Sequence, residues 1–360
     1  GSKFYDKGIL AQKFTFEVMP QYSSVNKNLV GKMNFSLLMH NENKNNYATV
    51  FNFFASSYHY DEALRYQVFR PALSFYFRTD DFRLNSRHLL GIYYFDVRRE
   101  KTKDSNANPN YKVINLRHLY SNRGAIKHLT LDTNFQFADK FSKVEFEFDI
   151  RRLLPSGSQV TARFFIGKFL NHSSRQTNFF DFNLNRPQDY LFRYNYFGRS
   201  EDKGFYSQQI VMAEGGFKST HSRATANDYL LSANITLGLW KWIEAYGEIG
   251  SLKNIREKVY TFFGSGIRFN IIPDYLELYL PFLSSNGWEI NQENYERKIR
   301  FVFKDFAHIF LICVSRGHNF LLAQRSKFCK IFRYLKHCLL YTSDAADDTP
   351  CVDLGGRRII

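Results

Sequence analysis

Carboxylates in short period-two spacing are the first residues here that could do chemistry. Glu145, Glu147 and Asp149 alternate along one short stretch, and two carboxyl groups across a substrate are what acid-base or glycoside hydrolysis requires. Neighbours on one face of a single strand, however, are more simply explained as charges lining a wet space. Asp80 and Asp81 sit together in a polar stretch, but one pair supplies too few oxygens for calcium, which takes roughly six to eight. Glu214-Gly215-Gly216 hints at a phosphate cradle, yet no G-x-x-x-x-G-K-[ST] pattern follows, so a glycine-eased bulge or hairpin turn is the simpler reading. None of the histidines has a second histidine four residues on with Glu beside the first. The nearest imitation is His59-Tyr60-Asp61-Glu62. Trp240, Trp242 and Trp288, with Tyr246, Tyr275 and Tyr279, could form a sugar platform or a girdle at a membrane boundary, and a girdle is the commoner use in a barrel. No catalytic, cofactor or metal site is therefore assigned.

The elements that would carry these groups are strands. Leu129, Leu131, Thr133, Phe135 and Phe137 alternate with Thr130, Asp132, Asn134 and Gln136. Val144, Phe146, Phe148 and Ile150 alternate with Glu145, Glu147 and Asp149, and the turn near Ala138, Asp139 and Lys140 folds both arms into a hairpin. A sheet face carrying Asp132, Asn134, Gln136, Glu145, Glu147 and Asp149 does not belong in a dry core. Either that face meets water while the aromatic face meets a second sheet, or it lines a wet lumen while the aromatic face meets lipid.

The same rhythm recurs over Lys13–Met19, Leu29–Met39, Ala48–Tyr60, Arg65–Arg78, Arg87–Arg99, Tyr111–Tyr120 and Gln159–Leu170. It continues over Phe205–Lys218, Tyr229–Leu239, Ile243–Leu252, Tyr260–Phe269, Tyr275–Leu283 and Tyr295–Phe303. Thr177–Gly204 is less regular, and Glu100–Asn110 reads as a long loop. No composition break divides residues 1–306, whereas a soluble sandwich of this length would fall into modules. The expectation is an all-β fold, an antiparallel transmembrane β-barrel of about 14–18 strands.

Bulk properties agree. The 360 residues include 38 Phe, 23 Tyr and 3 Trp at a mean hydropathy of −0.39, an aromatic load that suits pleated surfaces and interface girdles. No run approaches the roughly 18 apolar residues of a membrane helix, but barrel strands need only about 9–11 alternating ones. The net charge of +15 is scattered rather than gathered in a stripe, which argues against a nucleic-acid partner and fits contact with outer-membrane lipid headgroups. All four cysteines lie from Cys313 onward, so the body holds no disulfide framework.

Several long stretches carry a resemblance. Phe69–Arg78 (FRPALSFYFR), Asp181–Ser200 (DFNLNRPQDYLFRYNYFGRS), Phe205–Lys218 (FYSQQIVMAEGGFK), Leu276–Trp288 (LELYLPFLSSNGW) and Lys298–Phe303 (KIRFVF) are similar to the C-terminal half of a Bacteroidetes-type protein family. Members of that family resemble gluzincin zinc aminopeptidases in their N-terminal half and are strand-rich and membrane-like in their C-terminal half. The similarity spans about residues 11–306. It implies a non-catalytic anchoring or translocating barrel in the outer membrane of a Gram-negative bacterium, with a peptidase-like domain as its missing partner. The zinc motif of that domain is not in this chain, so no catalytic residue is carried over. The other reading is a stand-alone channel or uptake barrel with a polar lumen. After Phe306 the alternation fails. Residues 307–337 form a basic and apolar extension, and 338–360 (CLLYTSDAADDTPCVDLGGRRII) resemble translated sequencing-adapter read-through, expected to be disordered.

Overall fold

The computed structural model describes residues 4–5, 13–24, 26–41, 45–61, 64–79, 81, 83–100, 109–173, 179–194, 204–272 and 275–303. Asp80, most of the expected loop 100–110, the extension 307–337 and the tail 338–360 lie outside the described residues. The strands are β1 (Phe4–Tyr5), β2 (Phe14–Ser23), β3 (Asn28–His40), β4 (Asn46–Asp61), β5 (Leu64–Arg78), β6 (Ser86–Arg99), β7 (Tyr111–Arg123), β8 (Lys127–Ala138), β9 (Phe141–Leu153) and β10 (Gln159–His172). They continue as β11 (Phe182–Asn183), β12 (Thr225–Ala226), β13 (Tyr229–Trp240), β14 (Ile243–Lys253), β15 (Tyr260–Ile272), β16 (Leu276–Ser284), β17 (Gly287–Trp288) and β18 (Arg300–Phe303).

Sixteen of these strands form one antiparallel meander in which each long strand pairs with the next, and β10 pairs with β13 across the intervening segment. β11 and β12 make a separate two-stranded sheet. Among the described residues no ladder joins β1 to β18. Neither 3-10 turn, Phe205–Gln208 or Tyr295–Arg297, is a spanning helix, and no helix of the described residues is long and apolar enough to cross a membrane.

Register shows how the side chains divide. Leu131 faces Phe148 and Phe135 faces Val144, whereas Asp132 faces Glu147 and Asn134 faces Glu145. Because side chains alternate with a period of two, each pairing keeps apolar with apolar and polar with polar on opposite faces. The apolar face is exposed, with Ile166 at 51 %, Ile249 at 55 % and Leu237 at 43 % of their surface accessible. The inner face buries Asn115, Gln136, Lys143, Arg163, Glu244, Glu248 and Arg268. This is the reverse of a water-soluble protein, and it is the polarity of a transmembrane-type all-β barrel wall.

Two sequence expectations differ from the structure. Phe205–Lys218 is not a wall strand. Its first residues form the 3-10 turn, and the positive φ of Glu214 (50°) and Gly216 (67°) breaks any extended run. With residues 179–194 it belongs to the long insertion between β10 and β13, whose described residues pack against the inner face. Tyr295–Phe303 is a 3-10 turn followed by a strand of only four residues.

The insertion carries its own apolar core. Phe180, Phe182, Leu184, Tyr190, Leu191 and Phe217 are buried against Val97, Val113, Phe141, Phe165, Leu230 and Leu252 of the wall. These wall residues cluster toward the end from which the insertion leaves β10, so apolar packing gathers at that end of an otherwise polar inner face.

Candidate functional site: a charged lumen locked onto an internal plug

Most of the inner-face charges on β7–β10 are held by a partner on a neighbouring strand or on the insertion. On β7 and β8, Arg117 and Asp132 are near neighbours, and the guanidinium grips the carboxylate with two nitrogens, Nε to Oδ1 at 2.9 Å and to Oδ2 at 3.1 Å, and Nη2 to Oδ2 at 2.5 Å. Asn134 Nδ2 donates to Asp132 Oδ1 at 3.0 Å, and Gln136 Nε2 to Glu145 Oε1 at 3.1 Å. Lys143, fully buried, lies 3.2 Å from Glu145 Oε1 and donates to the carbonyl of Phe180 in the insertion at 3.3 Å. Its ammonium also sits 4.3 Å from the centre of the Phe182 ring. Glu147 pairs with Arg163, and Asp149 lies half-buried one step farther along β9.

Thus the six residues expected to line a lumen, Asp132, Asn134, Gln136, Glu145, Glu147 and Asp149, lie together on one face of β8 and β9. Four of them, Asp132, Asn134, Glu145 and Glu147, border a chamber of about 310 Å³ whose other wall is formed by Asp189, Tyr190, Arg193, Tyr194 and Glu214, whereas Gln136 and Asp149 lie outside its lining. At Glu145 and Glu147 the carboxylates are engaged by Lys143 and Arg163, so neither is held free in the manner a hydrolytic acid and base require. Among the described residues no group of three or more His, Cys, Asp or Glu is arranged to hold a metal ion.

The turn at residues 213–218 is the best-anchored part of the insertion. Arg163 Nη1 donates to the carbonyl of Glu214 at 2.7 Å and to Asn234 Oδ1 at 3.1 Å. Asn234 Nδ2 donates to the carbonyl of Gly215 at 3.3 Å. Lys218 reaches Glu248 of β14 with both its backbone N–H (2.9 Å to Oε1) and its ammonium (3.0 Å to Oε2), both side chains being sequestered from solvent. Glycine at 215 is required by close approach, because a Cβ there would lie 2.3 Å from the Leu184 carbonyl oxygen.

Burial shifts the insertion's own groups, which belong to no spanning strand. The Glu214 carboxyl is pushed up to about 7 by burial, against the pull of Lys143. Burial also raises the Tyr190 phenol to about 12 and lowers the Lys218 ammonium, the latter against Glu248.

Of the expected interface aromatics, Trp240 and Trp242 are exposed (60 % and 47 %) on the turn between β13 and β14, and Tyr275 is half-buried on the β15–β16 turn at that same end. Trp288 is exposed at the opposite end. Tyr279 differs. It lies on the inward parity of β16, 2 % exposed, and donates to Glu277 Oε2 at 2.6 Å. Its phenol finds its partner inside the lumen, so it is not a girdle residue; Tyr246 is buried beside it.

Sequence reading missed Lys143, Arg163, Lys218, Glu244, Glu248, Arg268 and Glu277. The available signal was a lone charge at an inward position of each strand, as with Arg163 between Ala162 and Phe164 or Glu248 between Gly247 and Ile249.

No family model and no curated protein matches the chain. Among solved structures, BamA from Haemophilus ducreyi lacking POTRA domains 1–3 aligns with a TM-score of 0.42 at 11 % identity, over 74 % of this chain and 60 % of that one. This chain thus spans less than two thirds of the length of that chain, and a likeness of this size carries no argument about activity.

Proposed function

We propose that this chain is an outer-membrane β-barrel that acts as the non-catalytic anchor or translocating part of a larger surface or periplasmic protein, its lumen closed by its own insertion. The observation that carries the reading is the pairing of an outward apolar sheet face with an inward charged face to which residues 179–194 and 204–224 are locked by Lys143, Arg163 and Lys218. A lipid-facing band and a filled interior are what an anchor needs. A conduit needs the interior empty. The connections 41–45, 79–85, 124–126, 154–158, 241–242 and 273–275 lie at one end, and the other end carries the short turns 24–27, 62–63, 139–140 and 254–259 together with the two longest connections, 100–110 and 173–228. Short turns mark the periplasmic side of such barrels, so the plug sits at the outer side. The stretches quoted above resemble the strand-rich C-terminal half of a family whose N-terminal half resembles zinc aminopeptidases, and on this reading catalysis would fall to such an N-terminal half.

Planar-bilayer recording on the refolded full chain tests this. A quiet bilayer with verified insertion is expected. Regular conductance steps would instead favour a stand-alone channel or uptake barrel, the reading that the charged chamber of about 310 Å³ supports.

A further inference from the structure

Lys127 and Arg152 stand directly opposite each other at the ends of β8 and β9. Both are exposed, and both lie on the outward parity, in line with Leu129 and Ile150 and then Leu131 and Phe148. Like charges directly opposite on a ladder are unfavourable. Among the described residues no carboxylate is ion-paired with either, and the flanking stretches Arg123–His128 and Arg151–Leu154 contain no Asp or Glu. Beside the pair, an open groove of about 570 Å³ lies over the β7–β8 turn, lined by Tyr120, Asn122, Ile126, Lys127 and Leu129. Ile126, 65 % exposed, follows the turn into Lys127, and the Leu153 N–H bonded to the Ile126 carbonyl at 2.9 Å ties the end of β9 to that turn. An apolar groove opening onto a pair of unneutralised cations matches one ligand shape, a fatty chain ending in an anionic headgroup.

We infer that Lys127, Arg152 and the adjoining groove form a binding site for one glycerophospholipid with an anionic phosphate headgroup, taken from the leaflet at the short-turn end. The phosphate bridges the Lys127 ammonium and the Arg152 guanidinium, and an acyl chain lies along Tyr120, Ile126 and Leu129. This site rests on the barrel reading, since it needs the outward face in contact with lipid. Free phosphate would satisfy the cations but not the groove, and an acidic protein segment would leave the groove empty as well.

Native mass spectrometry of the detergent-solubilised full chain tests it, with phosphatidylglycerol, phosphatidylcholine and glycerol phosphate as separate probes. One retained phosphatidylglycerol per chain is expected, with phosphatidylcholine and glycerol phosphate retained far less. The Lys127→Gln/Arg152→Gln variant should lose roughly 30-fold in phosphatidylglycerol affinity, following from the attraction of two basic residues to an anionic surface. The Lys127→Arg/Arg152→Lys variant should keep it. Folding of every variant is verified by heat-dependent gel mobility, which also reports on the barrel independently of the lipid. Equal phosphatidylglycerol retention by wild type and the Gln variant, equal retention of phosphatidylcholine, or equal binding of glycerol phosphate would each overturn the assignment.

Discussion

Replacing Lys218 by Met removes the ammonium from a site where Glu248 has no solvent to fall back on. The Lys218 side chain is 2 % exposed, the Glu248 side chain is fully buried, and they meet at 3.0 Å. Leaving one member of a buried pair uncompensated costs about 3–5 kcal/mol. The penalty falls on the docked state of the plug, because an undocked turn lets water reach Glu248. At about 1.4 kcal/mol per power of ten, the population with the turn released should rise by two to three and a half powers of ten. Amide hydrogen exchange reads this at Leu184 and Phe217, whose N–H groups are bonded to the Ala224 carbonyl at 2.7 Å and the Leu184 carbonyl at 2.9 Å. Protection at both should fall by that factor in Lys218→Met, while wall amides such as those of β8 and β9 keep theirs. Lys218→Met/Glu248→Met should recover most of the loss, since an apolar pair leaves no buried charge. Unchanged protection of Leu184 and Phe217 in the single variant would refute the claim that this ion pair holds the plug.

Other consequences follow from the same residues. Because Glu214 is pushed up to about 7 in the docked insertion, against about 4.3 for an ordinary Glu, its docked form favours the proton. Docking is therefore strongest below the ordinary value and weakens by on the order of 3 kcal/mol as pH rises through about 7. Exchange at Leu184 should quicken across that window, and Glu214→Gln should flatten the dependence. Gly215→Ala forces a Cβ against the Leu184 backbone at 2.3 Å and should loosen the turn by about 1–3 kcal/mol, measured by limited proteolysis within residues 204–224. In single-tryptophan variants, lipids brominated near the headgroup should quench Trp240, Trp242 and Trp288 more than lipids brominated at the chain terminus, and absence of quenching would count against a girdle.

The wall was legible in the sequence because a half-lipid, half-lumen strand must alternate. Leu129–Ile150 announces its hairpin through side-chain type alone, and the structure pairs Leu131 with Phe148 and Asp132 with Glu147 as that alternation requires. The insertion was not legible, for a physical reason. Phe205–Lys218 alternates much as a wall strand does, because a segment lying against the inner face also meets a surface that is apolar in places and polar in others. The 3-10 turn at Phe205–Gln208 and the positive φ at Glu214 and Gly216 distinguish it, and in the sequence only the Gly215-Gly216 pair signalled a local turn, which a wall strand with a bulge would also carry. Tyr279 was misplaced for a related reason. A tyrosine serves an interface girdle or a polar lumen equally well, and parity with Glu277 on β16 decides for the lumen. The Lys218–Glu248 pair is separated by some thirty residues, and no local pattern joins them.

The orientation of the two sheet faces is tested most directly by scanning nitroxide labels along β8 and β9 of the chain reconstituted in bilayers, after its four cysteines are replaced by serine. Accessibility to lipid-soluble oxygen should peak at Leu131, Phe135, Phe146 and Phe148. Labels at Asp132, Asn134, Glu145 and Glu147 should show low oxygen contact, giving a period of two along each strand. Oxygen contact without that alternation, or water-soluble nickel reagent reaching Phe135 and Phe146 more readily than Asn134 and Glu145, would contradict a barrel whose aromatic face meets lipid.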